Sequence, residues 1–148
     1  MNVRHALFLA VFAGLSAPVF ADPYEPARGT AERRAILDGI RPLAEDGLGA
    51  PVEFVVNTLQ VDNGRGFAML EAQRPGGAPI DISQSPMVLR DGEPEWSIDG
   101  PTVTAFVVRM ADGAWRVDEY AIGATDVWWA GDPYCADYAS VLPAMVCN

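Results

Sequence analysis

The sequence predicts an α+β fold: one N-terminal helix packed on a four-stranded antiparallel sheet, with a disulfide-stapled C-terminal tail. Three observations predict it. Residues 30–49 alone carry apolar side chains at sustained helical spacing. Four β-branched and aromatic runs follow, joined in pairs at Asp62-Asn63-Gly64 and Ala111-Asp112-Gly113. The chain's two cysteines, Cys135 and Cys147, both lie close to its C-terminal end.

The opening, "MNVRHALFLAVFAGLSAPVFADPYEP", has the parts of a secretory signal. Arg4 and His5 give a basic start, Ala6 to Leu15 an apolar run, and Val19-Phe20-Ala21 a cleavage site. The apolar run is about ten residues, and a bilayer span needs about twenty. The expected organisation is a signal peptide over 1–21, a flexible Pro-rich lead-in over 22–29, and a single domain over 30–148. Export places the product in the periplasm or outside the cell.

Thr30 is the natural cap of the helix, with Glu32 at the positive end of its dipole. Ile36, Leu37, Ile40, Leu43 and Ala44 form the apolar stripe, while Pro42 should kink the helix or end it early. In "PVEFVVNTLQV", Val52, Phe54 and Val56 share one face, but Leu59 and Val61 have the opposite phase. That change predicts a bulge near Asn57. "GFAMLEAQ" returns as the second strand of a hairpin. Residues 75–101 read as a long connection with one short strand at Met87–Leu89. "TVTAFVVRM" and "AWRVDEYAIG" form the clearest hairpin, apolar enough on both faces to be the central pair. In its last strand, Trp115 and Val117 should face one side, and Tyr120 and Ile122 the other. Asp132-Pro133 then starts a short helix to about Leu142 that carries Cys135 in its first turn. In an exported chain, Cys135 and Cys147 pair as a disulfide.

The stretches "ERRAILDGIRPLAEDGLGAPVEFVVNTLQV", "GFAMLEAQRPGGAPID" and "DEYAIGATDVWW" resemble a family of small exported bacterial proteins without assigned activity. The helix-then-meander order is similar to cystatin-like and nuclear-transport-factor-like α+β folds. This likeness implies a fold and carries over no functional residues.

Charge and composition narrow the function. The formal net charge is −10, and loss of Arg4 with the signal makes it −11. Such a chain lacks the basic face that nucleic acid requires. There is no Lys, and the only His, His5, sits in the signal. Ser-His-Asp and Cys-His catalysis, Schiff-base chemistry and His metal sites are therefore outside its repertoire. No cofactor or metal site is expected. Acid–base chemistry would fall to carboxylates, and Asp118-Glu119, with Tyr120 and Asp126 nearby, is the place to look. Adjacent strand residues point to opposite faces, so those two acids should not form a close pair.

Two clusters are candidates for contact with a ligand or partner. In "QRPGGAPID", Gly76 and Gly77 can turn successive N–H groups toward an anion while Arg74 adds a guanidinium fork, although the same residues suit a simple chain reversal. Trp128 and Trp129 belong to an aromatic group with Trp115, Tyr120, Tyr134 and Tyr138. That group should act as a lid over the sheet, leaving one ring of the tryptophan pair partly exposed. The leading expectation is a non-enzymatic binding module for a protein or small ligand of the cell envelope. The alternatives are an acidic inhibitor of a basic extracytoplasmic enzyme such as a lysozyme, and a carboxylate-dependent hydrolase or isomerase.

Overall fold

The computed structural model describes residues 22–147, so the expected signal peptide lies outside the described residues. Helix α1 spans Ala31–Leu48 and is capped by Thr30, whose hydroxyl accepts the Arg33 N–H at 3.3 Å. Ile36, Ile40, Ala44 and Leu48 are fully buried, one residue per turn. Contrary to the expected kink or early stop, the helix continues past Pro42 for six more residues. Proline costs about 3 kcal/mol in a helix interior. Complete burial of Leu48, on the order of 2 kcal/mol, and of Ala44 beyond the proline offsets much of that cost. Gly49, with φ +83°, ends the helix and donates its N–H to the Glu45 carbonyl at 2.9 Å.

The sheet is an antiparallel meander of β1 (Glu53–Asp62), β2 (Arg65–Gln73), β3 (Thr102–Arg109) and β4 (Trp115–Ile122), in that spatial order. The β1–β2 turn places Asn63 at φ 47° and Gly64 at φ 75°, the left-handed pair that a two-residue hairpin needs. The central pair is β2–β3, which corrects the reading of β3–β4 as central. β4 is an edge strand, and its Arg116, Asp118, Glu119 and Tyr120 are exposed.

Two bulges decide which side chains share a face. Pairing jumps from Val56↔Leu70 to Thr58↔Met69, so Asn57 is the extra residue predicted from the phase change. It keeps Val52, Phe54, Val56, Leu59 and Val61 all against the helix. The second bulge is not expected from the sequence. Pairing jumps from Phe106↔Glu119 to Val107↔Val117, leaving Asp118 unpaired. Trp115, Val117 and Ile122 therefore all pack on the helix side, which corrects the assignment of Ile122 to the opposite face.

The sheet is covered on both sides. α1 buries one face against Leu59, Leu70, Val103 and their neighbours. The C-terminal tail covers the other, packing Tyr138, Val141 and Leu142 on Phe67 and Phe106. The tail contains the short helix α3 (Tyr134–Tyr138), which is shorter than expected, and Asp132 does not cap it. Pro133 occupies the cap position without a side-chain hydrogen bond, and Cys135 lies in the first turn. Cys135 and Cys147 form the expected disulfide, with Cα atoms 5.4 Å apart.

The connection between β2 and β3 holds a helical turn, α2 (Pro86–Leu89), where a strand is expected, flanked by 3₁₀ turns at Ile82–Gln84 and Glu95–Ser97. The cause is local: Ser85 caps the turn through its hydroxyl, and Pro86 fits the first helical position. The lead-in expected to be flexible is instead anchored. Tyr24 exchanges two backbone hydrogen bonds with Val61, at 2.8 and 2.9 Å. Glu25 binds the buried Arg33 at 2.7 Å.

Candidate functional site

A cleft of about 520 Å³ opens on the tail side of the sheet, where the long connection and the tail meet. β2 and β3 supply Met69, Thr102 and Thr104, the connection supplies Asp99, and the tail supplies residues 124–127 and Trp129. Thr102 and Thr104 alternate with Val103 and Ala105, whose side chains fill the helix-side core, so both hydroxyls belong to the tail face. Thr102 donates to Glu71 at 2.9 Å. Thr104 is only 6% exposed and lines the cleft. Asp99, Thr125, Asp126 and Val127 are exposed and form the rim.

The cleft is held open by a tight backbone junction. Asp99 N–H donates to the Gly123 carbonyl at 2.7 Å, and Gly123 N–H donates to the Thr102 carbonyl at 2.8 Å. Gly123 has φ +58°, and a Cβ there would sit 2.7 Å from the Gly100 carbonyl oxygen. Only glycine lets the start of the tail approach the connection so closely.

The tail itself is fastened by aromatic packing and by the carboxylates of β4. Phe106 stacks on Tyr134 at 4.9 Å and meets Tyr138 at 4.2 Å and Trp128 at 5.6 Å. Trp129 packs against Phe67 at 5.1 Å. The bulge at Asp118 lets both neighbouring acids reach the tail. Tyr138 donates to Asp118 at 2.6 Å, and Tyr134 donates to Glu119 at 2.8 Å. This corrects the expectation that the two acids point to opposite faces. Burial, then the bond to Asp118, raises the pKa of the Tyr138 hydroxyl, and the bond to Glu119 leads the rise at Tyr134. Both phenols stay protonated and act as donors that hold the tail down.

Trp128 and Trp129 are thus mainly lid, as the aromatic clustering suggests, and both are half-buried. Of the two, Trp129 lines the cleft. The Trp128 Nε1 donor is buried without a partner among the described residues. Arg74, Gly76 and Gly77 lie away from the cleft, and the protein itself occupies their hydrogen-bonding groups. The Arg74 guanidinium donates to the carbonyls of Leu48 at 2.9 Å, Pro51 at 3.1 Å, and Gly49, closing the negative end of α1. Gly76 N–H donates to the Glu53 carboxylate at 3.3 Å, and Gly77 N–H to the Arg74 carbonyl at 3.0 Å. Gly76 alone of the pair meets a carboxylate, and it is the chain's own.

Among the described residues, no group of three or more His, Cys, Asp or Glu side chains could hold a metal ion, and no helix is long and apolar enough to cross a membrane. The cleft residues Met69, Asp99, Thr102 and Thr104 do not figure in the sequence-based candidates. The available signal is the pair of hydroxyls two residues apart in "TVTAFVV", otherwise apolar, which puts two polar groups on one face of a core strand. Compared with protein-family models, curated proteins and solved structures, the chain matches none.

Proposed function

We propose that the protein is an exported, non-enzymatic binding module that holds a small ligand in the cleft between the long connection and the tail. The observation that carries this reading is the 520 Å³ space itself, which the tail and the long connection form over the sheet and which Thr104, Met69 and Trp129 line. The cleft has the size of ordinary small-molecule sites, and its walls combine an indole, a thioether and a few polar groups. The disulfide supports a role outside the cytoplasm.

A thermal-shift screen over amines, amino acids, sugars and carboxylates tests the reading. At least one class should raise Tm with concentration, following RT ln(1 + [L]/Kd). Ala124→Trp, which puts an indole into the cleft, should abolish that shift. Hits that shift this variant equally well would refute the cleft as the site.

A second reading, an acidic inhibitor of a basic extracytoplasmic enzyme, is supported by a separate feature. Trp96 is 86% exposed in the acidic stretch Asp91–Asp99. Hydrogen bonds from Glu93 N–H to Met87 at 2.9 Å and from Asp99 N–H to Gly123 at 2.7 Å hold that stretch at both ends. A rigidly presented tryptophan is an efficient contact residue. Activity assays of a basic lysozyme at low and high salt, with Trp96→Ala as control, test this role. Unchanged lysozyme activity at low salt would remove it.

A further inference from the structure

The walls of the cleft also specify the ligand's chemistry, if the cleft is indeed the binding site as argued above. Its charged lining residues, Asp99 and Asp126, are both anionic, and no Arg lines it. Neither carboxylate is neutralised by an ion pair with the described residues, whereas Glu25, Asp38, Asp46, Asp91 and Asp137 each face an arginine. An anionic ligand would meet only repulsion. Beneath this rim, Thr104 presents a hydroxyl able to accept a hydrogen bond, and the Trp129 indole and the Met69 thioether line the same space. An indole face attracts an organic cation through its quadrupole, and a thioether packs against methylenes. A bare metal ion would make no use of either surface.

We propose that the cleft binds a protonated organic amine: an ammonium group held by Asp99, Asp126 and the Thr104 hydroxyl, on an alkyl body lying against Trp129 and Met69. The two carboxylates supply charge, the hydroxyl supplies direction, and the apolar wall selects a cation that carries carbon. The overall charge of −10 adds a long-range attraction of the same sign.

Three five-carbon probes separate this class from the others: cadaverine, 1,5-pentanediol and glutarate, with ammonium, hydroxyl and carboxylate ends on one chain length. Each is titrated into the ¹⁵N-labelled protein at low and at physiological salt. Cadaverine should move the amides of residues 99–104 and 123–127 saturably, with the diol at least tenfold weaker and glutarate without effect. Asp99→Asn and Asp126→Asn, both at exposed positions, should each weaken cadaverine about fivefold, the effect of one screened unit charge at contact. Thr104→Val, which keeps the shape and removes the hydroxyl, should also weaken it severalfold. Cleft amides that respond to the diol or to glutarate as strongly as to cadaverine would overturn the amine and leave the binding cleft standing. Cadaverine shifts scattered over the acidic surface, or no saturable response to any probe at the cleft, would overturn the amine and count against the cleft as well.

Discussion

Gly123→Ala tests the junction that shapes the cleft, and Gly76→Ala is its internal control. Both glycines have positive φ, +58° and +82°, so an alanine at either is disfavoured by about 1–2 kcal/mol for backbone reasons alone. Their surroundings differ. A Cβ at Gly76 has nothing within 4 Å, whereas one at Gly123 would lie 2.4 Å from Ile98 Cγ2, 2.7 Å from the Gly100 oxygen and 3.2 Å from the Asp99 nitrogen. The isoleucine can rotate away, but the two backbone atoms cannot move without separating the connection from the tail. Separation breaks the Asp99–Gly123 bond at 2.7 Å and strains the Gly123–Thr102 bond at 2.8 Å, each worth about 1 kcal/mol. Gly123→Ala should therefore cost about 3–5 kcal/mol and Gly76→Ala about 1–2 kcal/mol. Total stabilities run from about 5 to 15 kcal/mol, so the difference is large. Urea denaturation followed by circular dichroism, with the disulfide intact, measures both. Hydrogen exchange should show new opening at residues 98–104 in Gly123→Ala alone. Equal losses in the two variants, within about 0.5 kcal/mol, would refute the close approach at Gly123.

The other predictions concern the fastenings of helix and tail. Arg74→Ala should destabilise by about 1.5–3 kcal/mol, because charge-assisted bonds to the carbonyls of Leu48 and of the residues just after α1 are lost, and should leave cadaverine binding unchanged in the same titration. Tyr138→Phe should cost a similar amount near neutrality by removing the bond to Asp118, measured by the same urea titration. The Tyr138 pKa is raised above its usual 10.0, so the folded state keeps this proton after the unfolded chain releases it. Its contribution is complete below about pH 10 and falls as pH climbs from there toward the folded value. Stability measured from pH 9 to 11 should decline less steeply in Tyr138→Phe than in the wild type. Replacing Cys135 and Cys147 by Ala opens a loop with a sequence separation of 12 and should cost about 3 kcal/mol in chain entropy. Earlier exchange in residues 134–142 than in α1 should accompany it.

Much of the fold was legible because its signals are local. The helical stripe from Ile36 to Ala44, the Asn63-Gly64 turn and the phase change around Asn57 each act within a few residues, and each appears where expected. The Ser85-Pro86 pair carries an equally local helix signal, which the expectation of a strand at Met87–Leu89 does not take into account. The candidate site was less legible. Arg74 and the glycine pair look like an anion nest in isolation, yet the carbonyls that take up the guanidinium come from the end of α1 and the residues just after it, more than twenty residues away. Thr104, Asp99 and Trp129 belong to three separate segments, and no spacing rule links them.

The sequence by itself determined the order of the long helix and the four sheet strands, the Asn57 bulge, the disulfide partners and the absence of imidazole and amine side chains beyond His5, because each depends on residue type or on near neighbours. Only the tertiary structure decided that β4 is an edge, that a bulge at Asp118 turns two adjacent acids toward the same tail, and that the tail and the long connection enclose a cleft. Those outcomes depend on which surfaces meet when the sheet is covered from both sides. The free energy of that meeting is shared among residues far apart in the chain, so no short stretch carries its signature.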